Sequence, residues 1–255
     1  MFGIKILPVL YDNYIYLIHD PVSRETAVVD PALAQPVLDI LKKNGWQLTY
    51  IWNTHHHSDH IGGNLQLKQL TGCKIIAAQA DWDRIPGIDQ GVNEGDVVLL
   101  GNHKANIIAT PGHTRAHIIY HFAEDNILFC GDTLFVMGCG RLFEGTAEQL
   151  WHSFQKLKAL PKATLVYCTH EYTQTNGRFA LTVEPDNQCL QQRMIEVNRL
   201  RTNNQPTVPT TIAEELATNP FFREGSMELQ KTIGMTSSKP VEIFAKIRRL
   251  KDCFS

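Results

Sequence analysis

The sequence predicts an α/β protein: sheets covered by helices on their outer faces, followed by a shorter, mainly helical stretch. Three observations carry this. Short β-branched and aromatic runs alternate with helical segments, strands then helix then strand, twice over. Residues with metal-ligand or turn chemistry stand directly after apolar runs, where strands end and loops begin. Beyond Glu171 strong strand signals stop, which places a domain boundary near residues 170–176.

Taken in order, Ile4 to Leu10, Tyr14 to Ile18 and Thr26 to Asp30 read as adjacent strands of a meander, punctuated by Asp12-Asn13 and Asp20-Pro21. Pro36 to Asn44 carries Val37, Leu38, Ile40 and Leu41 at helical spacing and stops at Gly45, a helix C-cap. Tyr50-Ile51-Trp52 is a short strand, and Asn64 to Leu70 a helix ended by Thr71-Gly72. Strands follow at 74–77, 96–100, 105–110, 116–122 and 126–130. Ala147 to Leu160 is an amphipathic helix with Leu150, Trp151, Phe154, Leu157 and Leu160 on one stripe, and Thr164 to Thr169 a last buried strand. Helices are then expected at 186–201, 211–218 and 241–251, with Pro206 and Pro209 marking a linker.

A chain of 255 residues can bury a large core as one domain with a smaller appendage. Its formal net charge of −2 gives no general pull toward nucleic acid or an anionic membrane. The six cysteines form no C-x-x-C pair, the first residues lack the build of a signal peptide, and no apolar run approaches the ~18 residues of a membrane span. The expectation is a cytoplasmic monomer with reduced thiols and neither nucleic-acid nor membrane partners.

The chemistry gathers at Thr54-His55-His56-His57-Ser58-Asp59-His60, between the strand at 50–52 and Gly62-Gly63. Residues two apart on an extended segment point to the same side, so His55 and His57 share a face. Asp59 and His60 follow at the turn, and His56 is a spacer directed away. An internal cluster in this setting is no purification tag. Three later strand ends repeat the theme: Thr110-Pro111-Gly112-His113, Gly131-Asp132 and Thr169-His170-Glu171. Alone, His113 would be read as a turn residue, Asp132 as a helix cap and His170 as a core histidine. Together with the first cluster they give five imidazoles and two carboxylates, more than one four-coordinate ion uses, so two metals sharing a carboxylate is the economical solution.

Thr54 to His60 fits the T-H-x-H-x-D-H signature, and with His113, Asp132 and His170 the chain resembles the metallo-β-lactamase superfamily. The resemblance implies an αββα sandwich in which His55, His57 and His113 hold one metal, Asp59, His60 and His170 a second, and Asp132 bridges. Gly138-Cys139-Gly140-Arg141-Leu142-Phe143, His170-Glu171-Tyr172, Asn219-Pro220-Phe221-Phe222-Arg223 and the terminal Arg248-Arg249-Leu250-Lys251 further resemble the glyoxalase II, or hydroxyacylglutathione hydrolase, family. That likeness runs from Asp12 to the C-terminus. It implies a metal-binding catalytic domain over residues 1–172 and an α-helical substrate-binding domain over residues 173–255, with Arg141, Phe143, Tyr172, Arg248 and Lys251 on the glutathione moiety. Arg141, Phe143 and Ala32 stand where many members have Lys, Tyr and Gly. Arginine keeps the charge, but Phe143 cannot give a phenolic hydrogen bond.

The implied reaction is hydrolysis of S-(2-hydroxyacyl)glutathione, chiefly S-D-lactoylglutathione, to glutathione and D-lactate, the second step of methylglyoxal detoxification. It needs two divalent ions, zinc ahead of iron or manganese, to supply hydroxide near neutral pH, with Asp59 or Asp132 orienting it. The competing expectations are a one-iron glutathione persulfide dioxygenase, which would lack a complete second-metal set, and a non-hydrolytic metal-binding module of the same fold.

Overall fold

The computed structural model describes residues 2–254. Those in Met1–Ala109 and Ala116–Gly131 form one compact unit, and those in Thr110–Arg115 and Asp132–Ser255 a second.

In the first unit, β1 (Gly3–Val9), β2 (Asn13–His19) and β3 (Thr26–Val29) form the expected antiparallel meander. Helix α1 (Ala34–Asn44) ends at Gly45 in the left-handed conformation, φ 66°. Then β4 (Tyr50–Trp52), the single turn α2 (Ser58–Ile61), α3 (Asn64–Thr71), β5 (Lys74–Ala78) and β6 (Gln90–Val92) follow, with β3, β4, β5 and β6 paired in parallel. A second, antiparallel array comprises β7 (Val97–Leu100), β8 (His103–Ala109), β9 (Ile118–Phe122) and β10 (Ile127–Gly131).

Alternation decides what each face of the first sheet meets. Ile15, Leu17, Val28, Ile51 and Ile75 pack with Val37, Leu41 and Leu67 of the covering helices. The opposite face is aromatic: Trp52 stacks on Tyr120 of β9 with ring centroids 5.2 Å apart, and Tyr16 meets Phe129 of β10 at 5.4 Å. The Tyr120 hydroxyl donates to the Asn53 carbonyl at 2.9 Å. This bond joins the two sheets at the residue where β4 gives way to the histidine cluster.

The second unit begins with a hairpin of β11 (Leu134–Phe135) and β12 (Gly138–Cys139), whose turn holds Met137 at φ 56°. Helix α4 (Ala147–Lys158) opens with a capping box between Thr146 and Gln149. Next come β13 (Leu165–Cys168), α5 (Thr173–Val183), α6 (Gln188–Thr202), β14 (Thr210–Thr211), which pairs with β13, α7 (Ile212–Thr218), α8 (Met227–Thr232) and α9 (Pro240–Asp252). The core is a phenylalanine cluster in which Phe154 of α4 meets Phe222 at 4.9 Å and Phe244 of α9 at 5.3 Å. The sequence reading lacked β6, the hairpin, α5, α8 and β14, and had a turn where α2 forms.

Candidate metal centre and the cavity of the second unit

The first unit carries His55, His57, Asp59 and His60. His55, Asp59 and His60 are each held by a polar neighbour. Asp30, at the end of β3, is 1% exposed. Its Oδ1 accepts from the Thr54 backbone N–H at 2.8 Å, and its Oδ2 accepts from the Thr54 hydroxyl at 2.7 Å. That hydroxyl has spent its one proton on Asp30, so it accepts from His55 Nδ1–H, 3.0 Å away. His60 Nδ1 lies 3.2 Å from Asp30 Oδ2, which makes Nδ1 its protonated nitrogen. Both imidazoles therefore present Nε2 as the donor nitrogen, as metal-ligating histidines do when the other ring nitrogen is engaged by the protein. His55 Nε2 and His57 Nδ1 stand 3.0 Å apart. His60 Nε2 is 3.5 Å from Asp59 Oδ2, and Asn13 Nδ2 steadies Asp59 by donating to its Oδ2 at 3.1 Å and its carbonyl at 3.2 Å.

The second unit carries His113, Asp132 and His170. His113 Nδ1 donates to the Arg141 carbonyl at 2.8 Å, leaving Nε2 toward Asp132 Oδ2 at 3.4 Å. His170 Nε2 lies 3.5 Å from the other carboxylate oxygen, Oδ1, which also accepts from the Thr169 hydroxyl. One carboxylate thus has an imidazole nitrogen facing each of its oxygens. The donor set, imidazoles with carboxylates, fits a divalent metal site.

Arg141, Phe143, Tyr172, Arg248 and Lys251 all line one cavity of about 390 Å³ in the second unit, whose wall also includes His113, Asp132, Phe135, Cys139 and Asn176. Tyr172 stacks on His170 with centroids 4.8 Å apart and planes within 3°, and Phe135 meets the Tyr172 ring edge-on at 5.1 Å. Phe143 is 63% exposed and sits edge-on to His113 at 5.2 Å. Arg248 is 3% exposed; its Nη1 donates to the Cys139 carbonyl at 2.9 Å and its Nη2 to Asp252 at 2.9 Å. Burial, then the positive charges of Arg248 and Arg141, lower the Lys251 pKa. Burial pushes the Cys139 thiol up to about 11, so it stays protonated.

The sequence does not single out Asp30 or Asn13, and His117 reads there as an ordinary histidine. The last is fully buried and stacks on His55 at 4.9 Å. Asp30 does follow an apolar strand, the same signal that marked Asp132. His56 turns to Arg84 at 3.4 Å and Asp81 at 3.8 Å, in keeping with a spacer.

Residues 10–170 match the family model of the metallo-β-lactamase superfamily, and the chain belongs to that superfamily and has its fold. Residues 171–254 match the model of the hydroxyacylglutathione hydrolase C-terminus. The chain is 52% identical to a hydroxyacylglutathione hydrolase of Methylococcus capsulatus, over 100% of this chain and 99% of that one. It is 53% identical to another of Rhodospirillum rubrum, over 97% of each. Among solved structures, that of ETHE1 from Myxococcus xanthus is 26% identical with a TM-score of 0.66, over 99% of this chain and 100% of that chain. Within the superfamily, the chain is a member of the hydroxyacylglutathione hydrolase family. Among the described residues, no helix is long and apolar enough to cross a membrane.

Proposed function

We propose that the chain hydrolyses S-(2-hydroxyacyl)glutathione, chiefly S-D-lactoylglutathione, to glutathione and the 2-hydroxy acid. The observation that carries this is the cavity that places Arg141, Arg248 and Lys251 in one wall with His113 and Asp132: cations for a carboxylate-bearing thiol beside metal-type donors. His55, His57 and His113 would hold one divalent ion and Asp59, His60 and His170 a second, with Asp132 serving both; zinc suits this set, as do iron and manganese. Bound there, the ions acidify water and withdraw charge from the thioester carbonyl.

The rest is the work of the chain itself. Asp59, steadied by Asn13, and Asp132, steadied by Thr169, orient the attacking water through their carboxylates. Arg141 and Lys251 take the glutathione carboxylates, Tyr172 and Phe143 flank its peptide, and Arg248 adds charge from behind Cys139. The departing thiolate, with a pKa of about 8.5, leaves into this positive cavity without full protonation. Residues 1–172 act as the catalytic domain and residues 173–255 as the substrate domain, in a cytoplasmic monomer; the net charge of −2 favours a small-molecule substrate over a polyanion.

The test is release of free thiol from S-D-lactoylglutathione by metal-analysed protein before and after chelation. Chelator-sensitive turnover with about two ions per chain supports the reading. Absence of turnover in fully metal-loaded protein overturns it.

A further inference from the structure

The Asn219-Pro220-Phe221-Phe222-Arg223 segment carries chemistry that the reaction leaves unused. Asn219 is fully buried, and its Nδ2 donates to the carbonyls of Gly138 at 2.9 Å and Phe135 at 3.3 Å and to Glu215 Oε2 at 2.8 Å. Glu215, also fully buried, uses the same Oε2 to accept from the Met137 backbone N–H at 2.9 Å. Its Oε1 accepts from the Thr210 hydroxyl at 2.8 Å and from Arg193 Nη2 at 2.7 Å. A carboxylate taken wholly out of water is costly unless its charge is paired and its oxygens are bonded, and here four donors meet that need. The Asn176 amide donates to a further hairpin carbonyl, that of Val136, at 3.2 Å.

We propose that Glu215 and Asn219 are positioning residues for substrate binding: they lock the 135–138 turn so that Phe135 fixes Tyr172 in the cavity wall, stacked on His170. Met137 sits at φ 56°, a conformation that costs free energy in a non-glycine residue and persists where its surroundings hold it. The Glu215–Met137 bond is that hold. Phe135 then meets His170 at 5.8 Å and Tyr172 at 5.1 Å, both edge-on. The consequence for binding rests on the glutathione reading of the cavity.

The test compares native protein with Glu215→Gln and with Glu215→Gln/Arg193→Met, which removes the stranded charge should the single variant fold poorly. Glu184→Gln, which breaks the buried Glu184–Arg223 pair away from the hairpin, serves as a control for general destabilisation. The His170 ring-proton resonances should shift in the Glu215 variants and not in the control. The Kd for the non-hydrolysable thioether S-methylglutathione and the KM should rise together by about tenfold, the effect of losing one good polar contact, with kcat within about twofold of native. Glu215 variants with native His170 resonances, or with native Kd and KM despite a lowered Tm, overturn the proposal. A native chain that fails to bind S-methylglutathione sinks the functional reading alone, because the His170 resonances still report on the hairpin.

Discussion

Asp30 and His60 are both about 1% exposed, and the Asp30 Oδ2 lies 3.2 Å from His60 Nδ1. The same oxygen takes the Thr54 hydroxyl proton, so one carboxylate sets two tautomers, that of His60 directly and that of His55 through Thr54. Asp30 sits at φ 49°, where asparagine is at ease, so Asp30→Asn keeps the backbone and removes one acceptor. Metal affinity should fall by about 10- to 100-fold, as for other partners of ligating histidines. Competition with a chelator measures this, and excess metal should restore thiol release.

The Lys251 ammonium loses its proton earlier than an ordinary lysine, because burial and then Arg248 and Arg141 disfavour its charge. Between that depressed pKa and the usual value near about 10.4 the unfolded chain binds a proton that the folded chain has released. In that window stability gains from this group as pH rises, while the cavity loses a positive charge. KM should therefore climb on the alkaline side before an ordinary lysine would titrate. Lys251→Met should raise KM by about tenfold or more at neutral pH and flatten that climb, read in a KM-against-pH series.

How much of this could be read from the chain depends on where each signal lies. His55, His57, Asp59 and His60 are adjacent in sequence, and the strands around them are β-branched, so motif and elements were both legible. Asp30, Asn13 and Glu215 act through burial and a partner far along the chain, which no local pattern records. Helix α5 escaped because Thr173, Thr175, Asn176 and Gly177 are weak helix formers. Gly177 lies close against α6: a Cβ would stand 2.0 Å from the Met194 sulfur, the end of a flexible side chain that would have to shift. Tertiary contact outweighs local propensity at that position.

Phe143 offers a gain-of-contact test. It lines the cavity and is 63% exposed. Phe143→Tyr adds a donor without changing the ring against His113, so the melting temperature should hold. If the hydroxyl reaches the bound peptide, KM should drop by about two- to tenfold, the range of a net hydrogen bond of about 0.5–1.5 kcal/mol. Phe143→Ala should move KM the other way, since the flanking ring is lost.

Gly140 is the position where the smallest change should do most harm. A Cβ there would lie 2.0 Å from the Asp132 carbonyl and 3.1 Å from His113 Nδ1. The first neighbour is backbone and cannot turn aside, and Gly140 N–H also donates to the Thr133 carbonyl at 3.2 Å, so the strand end carrying Asp132 must move. Relief pushes His113 as well, and its hold on the Arg141 carbonyl fixes the tautomer. Gly140→Ala should thus cost metal occupancy and activity together, by about 100-fold in kcat/KM, the scale that follows a misplacement of about 1 Å. The far-ultraviolet circular dichroism should stay native, because the phenylalanine core of the second unit is untouched. Full metal occupancy with native kcat/KM in this variant would show that the strand end carrying Asp132 yields without consequence for the site.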